Sequence, residues 1–75
     1  MEPLPEIKKG RYRHFKGGLY LVEGVARHSE TTAPMVLYRH ERESDLWVRP
    51  FAMFFEEVEH EGVRVPRFRY EGEIS

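Results

Sequence analysis

The stretch GGLYLVEGVARH, residues 17–28, decides the fold. From Leu19 onward, apolar residues occupy both sets of alternating positions, so a β-strand here would be covered on both faces. Gly24 lies midway along it, where a bulge or a bend costs little. The stretch therefore predicts a long central strand that curls through a small β-structure, entered by a two-residue hairpin turn at Gly17 and Gly18.

Shorter strand patterns flank this central strand on both sides. Residues 11–16 predict the strand before it. Residues 29–34 are a cluster of turn formers, and a third strand is expected from Met35. After another charged turn, residues 46–48 predict a short fourth strand. The chain thus alternates short strands and turns at a spacing typical of all-β domains.

The C-terminal third contains the one helix-like pattern. Pro50 suits the start of a helical turn, because it has no N–H to donate to a strand. Residues 51–58 place phenylalanines at helix-like spacing, but they are too few for an independent helix, so they predict a short turn that plugs a barrel end. Beyond them we expect a hairpin about residues 60–62, or one more strand that Pro66 marks as an edge.

Together these patterns predict an all-β fold: a small five-stranded barrel with one short helical turn. The alternative is an open antiparallel sheet with a packed helix, which requires a longer helix than residues 50–57 suggest. Residues 1–9 predict a flexible lead-in, and residues 10–75 predict a single domain, since 75 residues cannot support a second core.

Composition excludes several classes of protein. The chain has no cysteine, so disulfides and thiolate metal sites are impossible, and no apolar run reaches the length of a membrane span. The N-terminal ten residues lack the apolar core of a signal peptide, so a cytoplasmic location is expected. Formal net charge is −1, with +3 over residues 1–28 and −4 over residues 29–75. Such a balance argues against a protein that holds nucleic acid chiefly through phosphates.

Histidines, hydroxyls and carboxylates do not predict a catalytic or metal site. The four histidines lack the spacing of a recognised metal motif, so we expect no metal and no cofactor. A site built on His14, His28 and Glu30 is the alternative, and it would make the protein a small metal-dependent hydrolase. The hydroxyls beside His28 are better explained as turn formers than as nucleophiles, so no catalytic residue is predicted.

Aromatic residues are the stronger functional feature. Tyrosines, Trp47 and Phe54 come from different predicted elements, and a small barrel must bring several of them together. With Arg39, Arg49 and His14, Tyr38 and Trp47 form a candidate groove with cationic edges. Such a groove suits a proline-rich or acidic peptide, or a stacked base. A purely structural aromatic cluster remains the alternative.

Four longer strings resemble one bacterial family, known as domain of unknown function 1653. They are YRHFKGGLYLVEGVARHSET from Tyr12, VLYR from Val36, LWVRPFAMF from Leu46 and VPRF from Val65. The resemblance covers residues 10–68 and implies an SH3-like barrel in a cytoplasmic bacterial protein. It implies no activity, substrate or catalytic residue. Residues 40–45 are more charged than in similar sequences, which puts any role for that loop in doubt.

The resemblance indicates which polar residues to examine as candidate binding residues: Tyr12, His14, Lys16, His28, Glu30, Tyr38, Arg39, Trp47 and Arg49. The leading hypothesis is a binding module, without enzymatic activity, that recognises a peptide or protein through the aromatic and basic surface of the first, third and fourth strands. A nucleic-acid or nucleotide reader is the alternative. The expected oligomeric state is a monomer or a homodimer, with no membrane partner.

Overall fold

A computed structural model describes residues 2–73. It consists of seven strands and one short helix: β1 (Gly10–His14), β2 (Leu19–Arg27), β3 (Pro34–His40), β4 (Trp47–Pro50), α1 (Phe51–Phe54), β5 (Glu57–His60), β6 (Val63–Pro66) and β7 (Phe68–Gly72). The prediction of an all-β fold with one short helical turn is confirmed. In this part of the chain no helix is long and apolar enough to cross a membrane.

Five strands form one antiparallel sheet, in the order β4-β3-β2-β1-β7, and β5 pairs with β6 in a separate two-stranded sheet. The strand predicted to be central, β2, lies in the middle of the larger sheet. Within residues 2–73 the edge strands β4 and β7 do not pair with each other, so closure of the five strands into a barrel is not detected. The larger sheet is curved over its core but open along both edges.

The long strand β2 contains the predicted bulge. Val22 opposes Tyr38 and Gly24 opposes Leu37, so Glu23 is the extra residue and the register shifts there by one. A bulge bends its strand and increases the local twist. This bend allows a nine-residue strand to follow the curvature of the sheet.

The two hairpin turns differ in how well the sequence predicted them. Glu61 and Gly62 have φ values of 53° and 79°, as expected for the predicted turn about residues 60–62. The prediction of a two-residue turn at Gly17 and Gly18 is wrong. The strand β1 ends at His14, and residues 15–18 form a four-residue connection in which His14 N–H donates to the Gly18 carbonyl at 2.8 Å.

The core lies between the concave face of the larger sheet and α1. Its buried side chains are Tyr12, Val22, Val36, Tyr38, Phe54 and Phe68. The single turn of α1 places Phe54, which is fully buried, flat against Phe68 with ring centroids 4.1 Å apart and planes 2° apart. The predicted helical plug therefore supplies the centre of the core.

Residues 2–9 have neither helix nor strand, and several of them contact the body of the protein. The Tyr12 hydroxyl donates to the Lys8 carbonyl at 2.8 Å. The Arg27 guanidinium donates to the Glu2 carbonyl. Ile7 packs against the core.

Candidate functional site

Strand register brings four aromatic rings onto one end of the concave face. Tyr20 on β2 directly opposes His40 on β3, and Tyr38 on β3 directly opposes Trp47 on β4. Directly opposed residues project their side chains from the same face of a sheet. The four rings and Glu43, from the loop after β3, line a cavity of about 220 Å³. We call this cavity the aromatic groove.

Three rings of the aromatic groove, those of Tyr20, Tyr38 and His40, pack edge to face. The Tyr20 ring centroid lies 5.1 Å from that of His40 and 5.7 Å from that of Tyr38, with interplanar angles of 76° and 73°. This is the geometry that aromatic quadrupoles favour. Tyr38 is only 6% exposed and belongs to the core, whereas Trp47 is 55% exposed. The groove therefore has a fixed floor and a solvated wall.

Arg49 places a positive charge beside the aromatic groove. It lies two residues after Trp47 on β4, and its Nε donates to the Tyr38 hydroxyl at 3.4 Å, which is a long hydrogen bond. Its guanidinium carbon is 5.8 Å from the centroid of the Phe68 ring, within the range of a cation–π contact. These two contacts hold the guanidinium against the core.

His40 and Glu43 are groove residues that sequence reasoning missed. The Nδ1 of His40 is buried and has no hydrogen-bond partner among residues 2–73. Hydrogen bonds that fix the loop include those from Glu43 N–H to the His40 carbonyl at 3.0 Å and from Arg39 to the Glu43 carbonyl at 3.2 Å. The unusual charge of residues 40–45 had argued against a role for this loop.

The strand beside the groove exposes further apolar surface. Leu46, Trp47 and Val48 are 57%, 55% and 57% exposed. The strand β4 is an edge of the larger sheet, and within residues 2–73 its outer side pairs with no strand. Unpaired N–H and C=O groups on an edge strand are a template for another extended chain.

Two of the residues predicted for the site lie away from the groove surface. Tyr12 is 3% exposed, and its ring centroid lies 5.4 Å from that of Phe54 in the core. Burial, followed by the neighbouring Tyr70, raises the pKa of the Tyr12 hydroxyl. Arg39 lies on the opposite face of the sheet from Tyr38, because alternate residues of a strand face opposite ways, and its Nε is 2.9 Å from Glu23 Oε1.

His14 lines a different cavity, at the end of β1, and Lys16 lies beside His14. This cavity of about 210 Å³ lies between the larger sheet and the β5–β6 hairpin, and we call it the hairpin cleft; it is lined by Arg13, His14, Phe15, Gly17, His60, Val65, Pro66 and Arg69. The Lys16 N–H donates to His14 Nδ1 at 3.1 Å. Burial lowers the pKa of His14, and the charges of Arg49, Arg67 and Lys16 lower it further.

His28 and Glu30 are turn residues, far from His14. The Nδ1 of His28 accepts hydrogen bonds from the N–H groups of Glu30 at 3.1 Å and Thr31 at 3.2 Å, which closes the turn after β2. His14 lies on β1, beside the start of β2, whereas His28 and Glu30 follow the end of β2. The strand β2 spans nine residues at about 3.3 Å per residue. The hypothesis of a hydrolase built on His14, His28 and Glu30 is therefore wrong. Residues 2–73 contain no group of three or more metal-ligating side chains that could hold a metal.

Of the predicted binding residues, the structure brings together Tyr38, Trp47 and Arg49. Tyr20 completes the groove, and a signal for it was present in the sequence. It alternates with Leu21 on the strand predicted to be central, so it shares a face with Val22 and the core. Its partner His40 depends on the register across the bulge, which no local sequence pattern specifies.

Comparisons with known proteins agree on one relationship. A family model described as "Protein of unknown function (DUF1653)" matches residues 10–70. A crystal structure of a protein belonging to DUF1653, from Bordetella bronchiseptica, has 32% sequence identity, covers 92% of each chain and superposes with a TM-score of 0.82. No curated protein matches the sequence.

Proposed function

The chain belongs to the DUF1653 family, and we propose that it is a binding module that holds an extended segment of another protein in the aromatic groove. The observation that supports this most is the exposure of Trp47. A tryptophan that is 55% exposed, on the wall of a groove with an aromatic floor, offers a large apolar contact that the fold itself does not use.

The open edge of β4 favours an extended segment as the occupant. A peptide that adds to a sheet edge gains main-chain hydrogen bonds, and pockets beside the edge select alternate side chains. The aromatic groove lies on the concave side of this edge, and Leu46 and Val48 flank Trp47 along it. Its volume of about 220 Å³ suits one proline or one medium-sized apolar side chain.

Polar groups in the groove suit the carbonyls of a peptide backbone. A buried unpaired N–H is costlier and rarer than a buried unpaired lone pair, so we place the proton of His40 on Nε2, where it can be donated to a ligand. The Tyr38 hydroxyl accepts from Arg49 and keeps its own proton for donation. His40 Nε2–H and the Tyr38 hydroxyl would then both donate to a ligand rich in hydrogen-bond acceptors.

Trp47 should carry most of the binding free energy. Alanine substitution of a central tryptophan at an interface commonly costs about 2 kcal/mol or more, which is about 30-fold in affinity. The same substitution should change the free energy of unfolding by about 1 kcal/mol or less, because the side chain is more than half exposed. Loss of binding without loss of stability is therefore the expected signature.

The test selects ligands from an unbiased peptide library and measures their affinity. Trp47 is the sole tryptophan, so its fluorescence reports directly on the groove. We expect selected peptides to shift Trp47 emission saturably, and calorimetry to show binding weakened about 30-fold in Trp47→Ala. Val63→Ala is the matched control, because Val63 is 61% exposed and lies on the separate sheet. Peptides that bind Trp47→Ala as tightly as the parent chain would overturn the proposal.

Two other occupants are distinguishable in the same experiments. If the edge of β4 pairs with a second copy, sedimentation will show concentration-dependent self-association that Trp47→Ala abolishes, and the peptide proposal fails. A nucleic-acid ligand would show affinity that falls steeply with salt. That alternative has less support, because Arg39 and Arg13 are paired with Glu23 and Glu71 rather than free to bind phosphates.

A further inference from the structure

The hairpin cleft has a lining unlike that of the aromatic groove. It lies where the end of β1 meets the β5–β6 hairpin, and it combines two histidines and two arginines with an apolar surface of Phe15, Val65 and Pro66. The peptide proposed for the aromatic groove makes no use of it. Basic side chains and an apolar surface therefore converge on a cavity of about 210 Å³ that has no assigned role.

One arginine of the lining is free to bind an anion. Arg13 is held by Glu71, with nitrogen–oxygen distances of 3.0 and 3.2 Å. Arg69 forms no ion pair among the residues that the structure describes, although it lies close enough to lower the pKa of Glu71. The guanidinium of Arg69 is thus the available positive charge in the cleft.

His14 lines the cleft with a neutral imidazole ring. Its Nδ1 accepts the Lys16 N–H at 3.1 Å, so in the neutral ring the proton is on Nε2. Burial and the charges of Arg49, Arg67 and Lys16 all lower the pKa of His14, which keeps the free ring neutral near pH 7. These same charges favour the approach of an anion.

A surface that can pack against an aromatic ring lies next to these polar groups. The Phe15 ring centroid is 4.5 Å from that of His14, at an interplanar angle of 34°, and 5.3 Å from that of His60, at 71°. Val65 and Pro66 of β6 add aliphatic contacts. The cavity is smaller than the roughly 300 Å³ at which pockets begin to hold drug-sized ligands. It has room for one ring and one acidic group.

We propose that the hairpin cleft binds a small aryl anion, a single ring bearing a phosphate or a carboxylate. The acidic group lies on the Arg69 guanidinium, and the ring lies against His14, Phe15, His60 and the β6 residues. Glu71 is engaged by Arg13 and Glu56 lies 3.9 Å from Arg67, whereas Glu61 lies 4.0 Å from His60. Charge-assisted hydrogen bonds to Arg69 then orient the anion.

The test uses four probes in a titration followed by two-dimensional amide NMR: phenyl phosphate, benzoate, inorganic phosphate and benzyl alcohol. We expect phenyl phosphate, benzoate or both to shift the amides of Phe15, Gly17 and Arg69 saturably in the millimolar range. The tighter of the two identifies the acidic group. Inorganic phosphate and benzyl alcohol should each bind at least about tenfold more weakly, because each lacks one half of the contacts.

Arg69→Gln is the informative variant, since Arg69 is exposed and unpaired in residues 2–73 and its replacement should leave the fold intact. It should weaken the aryl anion about tenfold, the effect of removing one charged hydrogen bond. Arg11→Gln removes the same charge from an exposed position of β1 outside the lining, and it should leave affinity unchanged. Equal weakening by both variants, equal binding of benzyl alcohol, or no saturable shift would each overturn the proposal.

Discussion

Two aromatic regions share the concave face of the larger sheet, and they differ in what covers them. In the first, α1 lies over Tyr12 and Phe68 and inserts Phe54 between the strands, so every ring is 3% exposed or less. In the second, the aromatic groove, the rings open to solvent at Trp47. Residue type does not separate the two regions, because both use tyrosine. The covering element decides which rings are core and which are surface.

Tyr38 joins the two regions. Its ring centroid lies 5.6 Å from that of Phe54 and 5.7 Å from that of Phe68 on the core side, and 5.7 Å from that of Tyr20 on the groove side. The floor of the groove is therefore held by the core. A groove with a preformed floor loses little side-chain entropy on binding, which leaves more of the contact energy for affinity.

The largest expected effect in this comparison is on the core side. Phe54→Ala should lower the free energy of unfolding by about 3–5 kcal/mol, because it removes a fully buried ring stacked at 4.1 Å on Phe68. Chemical denaturation followed by circular dichroism measures this change. Phe54→Leu keeps part of the volume and provides a folded reference if the alanine variant is unfolded.

The matched substitution in the groove is Trp47→Ala, for which the expected loss is about 1 kcal/mol or less. If the two alanine variants lost similar stability, the division of the concave face into core and groove would be wrong. Trp47 would then be a core residue with one exposed face.

The sequence predicted the parts of this fold that depend on local pattern. The apolar residues on both faces of residues 19–28 predicted the central strand, Gly24 predicted the bulge, and Pro50 with its phenylalanines predicted the helical turn. The alternation of side chains along a strand also places Arg39 on the opposite face of the sheet from Tyr38. The exclusion of Arg39 from the groove could therefore be predicted from the sequence. These features need no knowledge of distant contacts.

What local pattern could not predict is which element covers which face. Tyr12 and Tyr38 carry the same side chain on neighbouring parts of the sheet, yet α1 buries the ring of Tyr12, and the ring of Tyr38 also forms the groove floor. The opposition of Tyr20 and His40 depends on the register across Glu23, and the pairing of β7 with β1 depends on a contact across most of the chain. Long-range pairing of this kind follows from the whole fold.

An intermediate effect is expected when a single hydroxyl is removed from the covered region. Tyr12→Phe removes the 2.8 Å hydrogen bond to the Lys8 carbonyl and should cost about 1 kcal/mol, or about 4–8 °C in Tm for a domain of this size. Tyr70→Phe is the matched control, since its ring lies 5.2 Å from that of Tyr12 and its hydroxyl has no hydrogen bond within residues 2–73. A thermal melt of each variant makes the comparison. Equal losses in the two would mean that the bond to residues 2–9 contributes nothing to stability.

The smallest expected effect concerns His14, whose ring lies at the border of the covered region, 4.9 Å from that of Phe68. Burial, then Arg49, Arg67 and Lys16, lower its pKa in the folded state. Below the unfolded value of about 6.5, the unfolded chain therefore binds more protons at this position than the folded chain. Stability from this residue is present above that pH and is lost as the pH falls toward the lowered folded pKa.

The measurement compares Tm between about pH 7.5 and about pH 5.5 in the parent chain and in His14→Phe, which keeps a ring against Phe68 but cannot titrate. The parent should lose more Tm over this range than the variant. The other three histidines are present in both chains, so their contributions cancel in the difference. Glu71 also has a lowered pKa, but its contribution is lost only at pH values below the usual carboxylate range, outside this window. If the parent chain and His14→Phe lost equal Tm over this pH range, the His14 ring would be as exposed to solvent as Trp47 on the wall of the aromatic groove. The covered region would then end at Phe68.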